Sequence, residues 1–308
     1  MEALSGQLAQ GALSSEALTR ACLERIERLD ARAGSFVTVY EQAALQQARA
    51  ADIERASGLV RSPLHGIPVA VKDLCEVAGE VTTGGSAAWR GRRSQSTAKV
   101  VQRLQCAGMI VLGKTHTVEF AFGGWGTNEH MGTPRNPWSW TGAHRVPGGS
   151  SSGSGVAVAA GMAPAAIGTD TGGSVRIPSA MNGLTGLKPT HGSVSLDGVI
   201  PLSRTLDSVG PMARSARDAA LLYELMREPR ADDAARAHER GVGASVRPVS
   251  ALRIACMPAA QYPWPVDGLH VGSQRAHDAD RGFDPRDQAV VDRPGVLGGR
   301  HARDAQRR

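Results

Sequence analysis

Two short clusters of glycine and serine carry the side chains best suited to chemistry in this sequence. The first spans residues 147–155 (PGGSSSGSG), and the second spans residues 168–176 (GTDTGGSVR). Successive glycines before a serine let backbone N–H groups converge on one point, because no side chains intervene. Such a turn is a candidate oxyanion hole, which acyl transfer requires. Its donors would be the N–H groups of Thr171, Gly172, Gly173 and Ser174.

A lysine supplies a candidate base for the same chemistry. Lys72 lies near the end of residues 66–73 (GIPVAVKD), an apolar run bounded by Gly and Pro that is typical of a buried strand. A desolvated lysine favours its neutral, basic form. A hydroxyl of the serine-rich cluster could relay a proton between this amine and a nucleophilic serine. Together these groups provide the nucleophile, base and oxyanion donors that amide hydrolysis needs.

Each glycine–serine cluster also has simpler interpretations when taken alone. A Gly/Ser run is usually a flexible loop. A phosphate-binding loop is a second alternative, but neither cluster ends in the Lys-Ser/Thr of a P-loop, so the sequence does not favour it.

The elements that must position these residues follow from hydrophobic periodicity. Strand, helix and strand succeed one another between residues 66 and 112, which indicates an α/β sheet with crossover helices. Ser14 or Ser15 is a candidate helix cap near the N-terminus, and Ser215 is the candidate cap of a helix over residues 215–227. We predict helices over residues 1–33, 41–57, 97–107, 156–162 and 215–227, and strands over residues 66–73, 109–112, 165–169 and 252–256.

Residues 121–155 lack periodicity and are predicted to form a loop. A loop of this length inside a domain is usually functional or disordered. Its tryptophans, Trp125, Trp138 and Trp140, favour an ordered and packed loop.

Composition excludes several classes of protein. The 308 residues carry a formal net charge of +6, but arginine is dispersed instead of forming a patch, so we expect no direct nucleic-acid binding. The four cysteines fit neither a zinc site nor a disulfide framework and are expected to be reduced thiols. No apolar run approaches the ~20 residues of a membrane span. The N-terminus does not resemble a secretory signal, so we expect no membrane association and a cytoplasmic location.

Several motifs, in their order along the chain, resemble the amidase signature family of serine hydrolases. The resemblance covers about residues 15–226 and again residues 251–267. It implies an α/β fold in which a mixed β-sheet core is covered by helices on both faces. The motifs are GIPVAVKD (66–73), GGSSSGS (148–154), GTDTGGSVRIPSA (168–180), GLKPT (186–190) and LDSVGPMARS (206–215).

The resemblance assigns roles to three residues. Ser174 is matched to the acyl-forming nucleophile, Ser150 to a bridging serine held by a cis peptide, and Lys72 to the base. It implies a Ser-Ser-Lys triad acting on a small-molecule amide, with no metal and no cofactor.

Neighbouring polar and aromatic residues are expected to have structural roles. Asp170 and Arg176 are expected to brace the nucleophile loop. The histidines near the motifs are not expected to act as bases, and Cys75 lacks a visible partner for nucleophilic chemistry. Phe120, Phe122 and Trp125 are expected to pack the loop core, with lining of an acyl pocket as the alternative. The histidines are His130, His144 and His191, and the lysines expected to be solvated or structural are Lys99, Lys114 and Lys188.

The resemblance and the composition also divide the chain. Residues 1–226 are expected to form the amidase signature core, and residues 227–267 a linker followed by the start of the next strand. Residues 268–308 lose both patterning and resemblance, and are expected to form an aberrant, disordered tail. We hypothesise a shifted reading frame or a truncated gene, so that the C-terminal part of the fold is missing; a native tail on a short variant is the alternative.

Four functions remain open from the sequence. The first is an amidase acting on a carboxamide. The second is the glutamine-hydrolysing A subunit of a tRNA-dependent amidotransferase, which would need partner subunits. A hydrolase of urea derivatives is the third, and an inactive truncated remnant is the fourth. A homodimer is possible for any of them.

Overall fold

The computed structural model describes residues 1–229. The chain divides into two units, Met1–Arg247 and Pro248–Arg308, and all described residues lie in the first. Most of the regions predicted for residues 227–267 and 268–308 therefore lie outside the described residues.

The helices are α1 (Glu2–Ala9), α2 (Ser15–Ala33), α3 (Glu41–Ala56), α4 (Lys99–Cys106), α5 (Ser152–Ala159), α6 (Arg176–Asn182) and α7 (Ala216–Met226), and the strands are β1 (Phe36–Val39), β2 (Pro68–Lys72), β3 (Ile110–Thr115), β4 (Ala165–Asp170), β5 (Thr185–Gly186) and β6 (Ser208–Ala213).

The six strands form one mixed sheet in the order β1-β3-β2-β4-β6-β5. Strand β2 is central and runs parallel to both β3 and β4, whereas β1, β6 and β5 pair antiparallel with their neighbours. The chain leaves β2 through α4 toward one edge, then passes back through α5 to β4 on the other side. Because parallel crossovers are right-handed, these two helices lie on opposite faces of the sheet. The predicted α/β architecture, a mixed sheet with helices on both faces, is confirmed.

The centre of the sheet is entirely buried. Every residue of β2, β3, β4 and β6 is buried. Strands covered on both faces read as continuous apolar runs, which is why VAV in β2 and IVL in β3 were recognisable. The two lysines in these strands, Lys72 and Lys114, are fully buried with them.

Helix boundaries follow local capping chemistry. The Ser14 side chain accepts a hydrogen bond from the N–H of Ala17 and begins α2, which ends at Gly34 with a left-handed φ of 58°. The Ser215 side chain accepts from the N–H of Asp218 and begins α7. Both predicted caps are confirmed.

Three strands and one helix were not predicted: β1, β5, β6 and α6. Strand β6 contains Gly210 and Pro211, which normally argue against a strand interior. A Cβ at Gly210 would lie 2.1 Å from the Leu187 carbonyl oxygen, so close backbone approach requires glycine there.

The predicted loop over residues 121–155 is too long. Helix α5 begins at Ser152, inside the glycine–serine cluster, and Ser154 fixes its first turn by donating to the Ile167 carbonyl of β4 at 3.0 Å. The tryptophans, which led us to expect an ordered and packed loop, differ in exposure: Trp140 packs against the core, whereas Trp125 and Trp138 are exposed. Among residues 1–229, no helix has both the length and the apolar character needed to cross a membrane.

Candidate active site

Lys72 ends strand β2 and points to two hydroxyl groups. Its Nζ lies 2.8 Å from the Ser150 Oγ and 2.7 Å from the Thr169 Oγ1, and its side chain is fully buried. Thr169 belongs to β4, the parallel neighbour of β2. The contact therefore lies at the carboxyl ends of two adjacent parallel strands, the usual location of a site in open α/β sheets.

Burial lowers the pKa of Lys72 to about 7, although Cys75, Asp170 and Asp207 act in the opposite direction. A low-dielectric environment disfavours the ammonium form, and both direct partners of Nζ are uncharged hydroxyls. A lysine with this pKa is partly neutral near pH 7, and its neutral form can accept a proton.

Ser150 is presented by the glycine–serine cluster. The Gly149–Ser150 peptide is cis, as the family resemblance led us to expect. The Gly149 N–H donates to the Gly124 carbonyl at 2.7 Å, and the Ser150 carbonyl accepts from the Val118 N–H at 3.2 Å. Ser150 is completely buried, so its hydroxyl faces the protein interior and Lys72.

Ser174 lies next to the same cluster. The Ser151 N–H donates to the Ser174 carbonyl at 3.2 Å, which connects the residue after Ser150 to the predicted nucleophile. Ser174 is 8% exposed, and within residues 1–229 its hydroxyl forms no hydrogen bond. The structure thus brings Lys72 and Ser150 into direct contact, while the Ser174 hydroxyl remains without a hydrogen-bond partner in this region.

Asp170 organises the turn that carries Ser174. Its carboxylate accepts from the N–H groups of Gly173 (2.8 Å), Val175 (3.1 Å) and Arg176 (3.3 Å), and from the Arg176 guanidinium at 3.0 and 2.9 Å. Burial acts to raise the pKa of Asp170, but the hydrogen bonds from Arg176, Val175 and Gly173 outweigh it, and the pKa is lowered. The predicted bracing role of Asp170 and Arg176 is confirmed.

The proposed oxyanion donors differ in availability. The Gly173 N–H is directed to Asp170, whereas the N–H groups of Thr171, Gly172 and Ser174 have no acceptor within the described chain. Gly173 has a φ of +133°, and a Cβ there would lie 2.8 Å from the Ile177 Cδ1, so glycine is required. Gly172 is exposed, and apart from its chain neighbours no atom of residues 1–229 lies within 4 Å of the position that a Cβ would take there, which leaves room for a ligand beside it.

Thr169 and Asp207 also belong to this site, although no sequence pattern predicted them. The Thr171 hydroxyl donates to the Asp207 Oδ1, and Asp207 is itself buried. Both residues lie inside motifs that the family resemblance uses, GTDTGGSVRIPSA and LDSVGPMARS. The motifs could therefore have pointed to these two residues. Their contacts could not be predicted from the motifs, because they depend on the pairing of β4 with β6.

Other titratable neighbours have structural roles. Lys114 forms a fully buried ion pair with Asp73 at 2.9 Å. Burial raises the pKa of Cys75 to about 11, so its thiol is neutral at pH 7. The histidines considered earlier, His130, His144 and His191, are all exposed.

The aromatic residues of the adjoining loop divide into two groups. Phe120 packs edge-on against Trp89, with ring centroids 4.9 Å apart, as expected for a loop core. Phe122 and Trp125 are 83% and 66% exposed, so the expectation that they pack the loop core is wrong.

Comparisons with known proteins identify the family of this chain. The sequence profile described as Amidase matches residues 17–269. The chain is 49% identical over 223 residues to the A subunit of the glutamyl-tRNA(Gln) amidotransferase of Cupriavidus necator, a match that covers 72% of this chain and 44% of the relative.

Solved structures show the same likeness. The peptide amidase of Stenotrophomonas maltophilia is 42% identical with a TM-score of 0.69, covering 78% of this chain and 50% of that one. A protein from a vestigial complex, related to the origins of an s-triazine catabolic enzyme, is 38% identical with a TM-score of 0.71, covering 74% of this chain and 49% of that one. This chain thus spans about half the length of these relatives. The profile match, the sequence identities and the shared fold together show that the chain belongs to the amidase signature family.

Proposed function

We propose that this protein hydrolyses an amide C–N bond through an acyl-enzyme on Ser174. The observation that carries the proposal is the buried contact of Lys72 with the Ser150 Oγ, next to the loop that holds Ser174. Among residues 1–229 the buried Lys72 amine has hydroxyl groups as its hydrogen-bond partners. Such an amine is poised to accept a proton, which is the activation that a serine nucleophile needs.

The proposed acylation step moves one proton along the two serines. Neutral Lys72 accepts the proton of the Ser150 hydroxyl, Ser150 takes the proton of Ser174, and the Ser174 Oγ attacks the amide carbon. The N–H groups of Thr171, Gly172 and Ser174 support the negative charge on the carbonyl oxygen. The C–N bond then breaks, and the leaving nitrogen takes the proton back by the reverse route.

The deacylation step uses the same groups. Water gives a proton to the relay and attacks the acyl carbon, which releases a carboxylic acid and restores the Ser174 hydroxyl. Because burial brings the pKa of Lys72 to about 7, the amine can both accept and return a proton near neutral pH.

Labelling with a fluorophosphonate probe tests the nucleophile without knowledge of the substrate. We expect the 308-residue chain to be labelled on Ser174 and the Ser174→Ala variant to remain unlabelled. Ser57→Ala is the matched control, because Ser57 is exposed at the end of α3, and it should label like the parent. A folded parent chain that is not labelled would contradict the proposal and favour an inactive remnant.

Glutamine is a second candidate substrate. It is supported by the 49% identity to the A subunit of an amidotransferase, and it implies partner subunits for the complete reaction. The 42% identity to a peptide amidase supports peptide carboxamides instead. Release of ammonia from glutamine, peptide amides, simple carboxamides and urea derivatives, compared at equal concentration, separates these candidates.

In that comparison, the Ser174→Ala variant supplies the background for every substrate. Turnover of glutamine above that of all other amides would support the amidotransferase-like candidate. Preference for peptide amides or simple carboxamides would support a free-standing amidase.

A further inference from the structure

Two buried aspartates hold the nucleophile turn, which is defined here as residues 170–176. Asp170 belongs to the turn itself, whereas Asp207 approaches from outside, immediately before β6. The Asp207 Oδ1 accepts from the Thr171 hydroxyl, and its Oδ2 accepts from the N–H groups of Leu202 (2.8 Å) and Ser203 (3.0 Å). A single carboxylate therefore ties the nucleophile turn to the segment that precedes β6.

Ser208, which follows Asp207, also connects β6 to the nucleophile turn. The Ser208 hydroxyl donates to the Asp170 carbonyl at 3.0 Å, and Ser208 pairs with Asp170 in the antiparallel ladder of β4 and β6. The Asp207 backbone carbonyl contacts His191 Nδ1 at 3.0 Å. Asp207 is 5% exposed, so its position is determined by the surrounding protein.

Asp207 also differs from Asp170, the other carboxylate that acts on Lys72, in having no ion-pair partner within residues 1–229. The titratable groups that act on Lys72 are Cys75, Asp170 and Asp207. Asp170 is paired with Arg176, and Asp207 has no cationic partner within residues 1–229. The Cys75 thiol is neutral at pH 7. Asp73, which follows β2, forms an ion pair with Lys114 on β3, so these two charges compensate each other. Asp207 is thus the carboxylate whose charge acts on Lys72 without a counter-ion.

We propose that Asp207 is a positioning residue for the reaction: it holds the Thr171 side of the oxyanion turn through a hydrogen bond and places an unpaired negative charge where it acts on Lys72. This inference rests on the proposed amide hydrolysis at Ser174. It links the donors that stabilise the oxyanion to the base that starts the proton relay.

Two substitutions separate these effects. Asp207→Asn removes the charge, while its amide can still accept from the Leu202 and Ser203 N–H groups and donate to the Thr171 hydroxyl. Thr171→Val removes the hydrogen bond and leaves the charge. Thr171→Ser is the rescue variant because it keeps the hydroxyl, and Asp197→Asn is the control because it removes the charge of an exposed aspartate.

The measurement is the rate of fluorophosphonate labelling of the full 308-residue chain as a function of pH. In Asp207→Asn the pKa of Lys72 should fall, because a nearby negative charge no longer favours the ammonium form. Since the neutral amine is the active form, the acid limb of the profile should move to lower pH. In Thr171→Val the limb should stay in place, while the maximal rate falls about tenfold through loss of oxyanion positioning.

The outcomes distinguish this inference from the proposed function. An unlabelled parent chain would remove the proposed function and this inference with it. A labelled parent whose Asp207→Asn and Thr171→Val profiles match the parent in both limb and maximal rate would overturn the inference alone. If Asp207→Asn fails to fold, as judged by thermal unfolding, an unchanged maximal rate in Thr171→Val overturns it.

Discussion

The Lys72 Nζ contacts the Ser150 Oγ at 2.8 Å, and both side chains are fully buried. The contact joins the end of a central strand to a loop 78 residues further along the chain. Because both side chains are buried, loss of this contact would leave two polar groups without a partner, which costs free energy. Within residues 1–229 the hydrogen-bond partners of Lys72 are hydroxyl groups and not carboxylates. A lysine buried in this way is costly to maintain, which favours a functional role for the amine.

Removal of the amine should abolish nucleophile activation. Lys72→Met keeps the length and apolar stem of the side chain but has no base, so we expect fluorophosphonate labelling to slow by several orders of magnitude. Lys188→Met is a suitable control, since within residues 1–229 Lys188 donates to the Pro189 carbonyl alone. Labelling rates with thermal unfolding curves provide the measurement. A Lys72→Met rate near that of the parent would remove lysine from the mechanism.

The parent chain should show an acid limb centred near pH 7. The pKa of Lys72 is lowered by burial to about 7, and the neutral form is the reactive one. The labelling rate should therefore fall about tenfold for each pH unit below 7 and level off above about pH 8. A rate that stays constant between about pH 5 and pH 8 would contradict a lysine base with this pKa. Unfolding midpoints measured at each pH separate this effect from acid denaturation.

Thr169 should orient the base. Its Oγ1 lies 2.7 Å from the Lys72 Nζ, and by accepting an N–H it leaves the nitrogen lone pair free for Ser150. Thr169→Val is nearly isosteric and removes this acceptor, so the maximal labelling rate should fall by about 10- to 100-fold. Thr169→Ser retains the hydroxyl and should restore most of the rate. Equal rates for the valine and serine variants would show that the hydroxyl does not orient the amine.

Prediction from sequence succeeded where a single local pattern determines the structure. The apolar run ending at Lys72 indicated a buried strand, and Ser215 indicated a helix start; both are present. It failed where tertiary contacts override local preference. Residues 152–155 are Ser and Gly, yet they form the first turn of α5 because Ser154 bonds to β4.

In the candidate site, too, local features were predictable from the sequence and long-range contacts were not. The spacing of the glycines was enough to propose the N–H groups of Thr171, Gly172, Gly173 and Ser174 as oxyanion donors. It did not predict that the Gly173 N–H donates to Asp170, because that hydrogen bond depends on the folded turn. Asp207 lies 33 residues from Ser174 in the sequence and reaches the turn through the β4–β6 ladder. No local pattern encodes a contact of that kind, because it depends on strand order.

The second buried lysine should contribute to stability and not to the proton relay. Lys114 and Asp73 form an ion pair and are both fully buried. The Lys114 Nζ also donates to the Thr82 Oγ1 at 2.9 Å, and the Asp73 Oδ2 accepts from the Thr83 N–H at 3.0 Å. Lys114→Met leaves the Asp73 carboxylate buried without its counter-charge, so the free energy of unfolding should fall by about 3–5 kcal/mol.

The double variant identifies the cause of that loss. Lys114→Met combined with Asp73→Asn has no buried charge at this position, and it should recover most of the stability, because replacing both members of a buried pair is often close to neutral. Urea unfolding followed by circular dichroism measures all three chains. A double variant no more stable than Lys114→Met would show that lost packing, and not an unpaired carboxylate, destabilises the single variant.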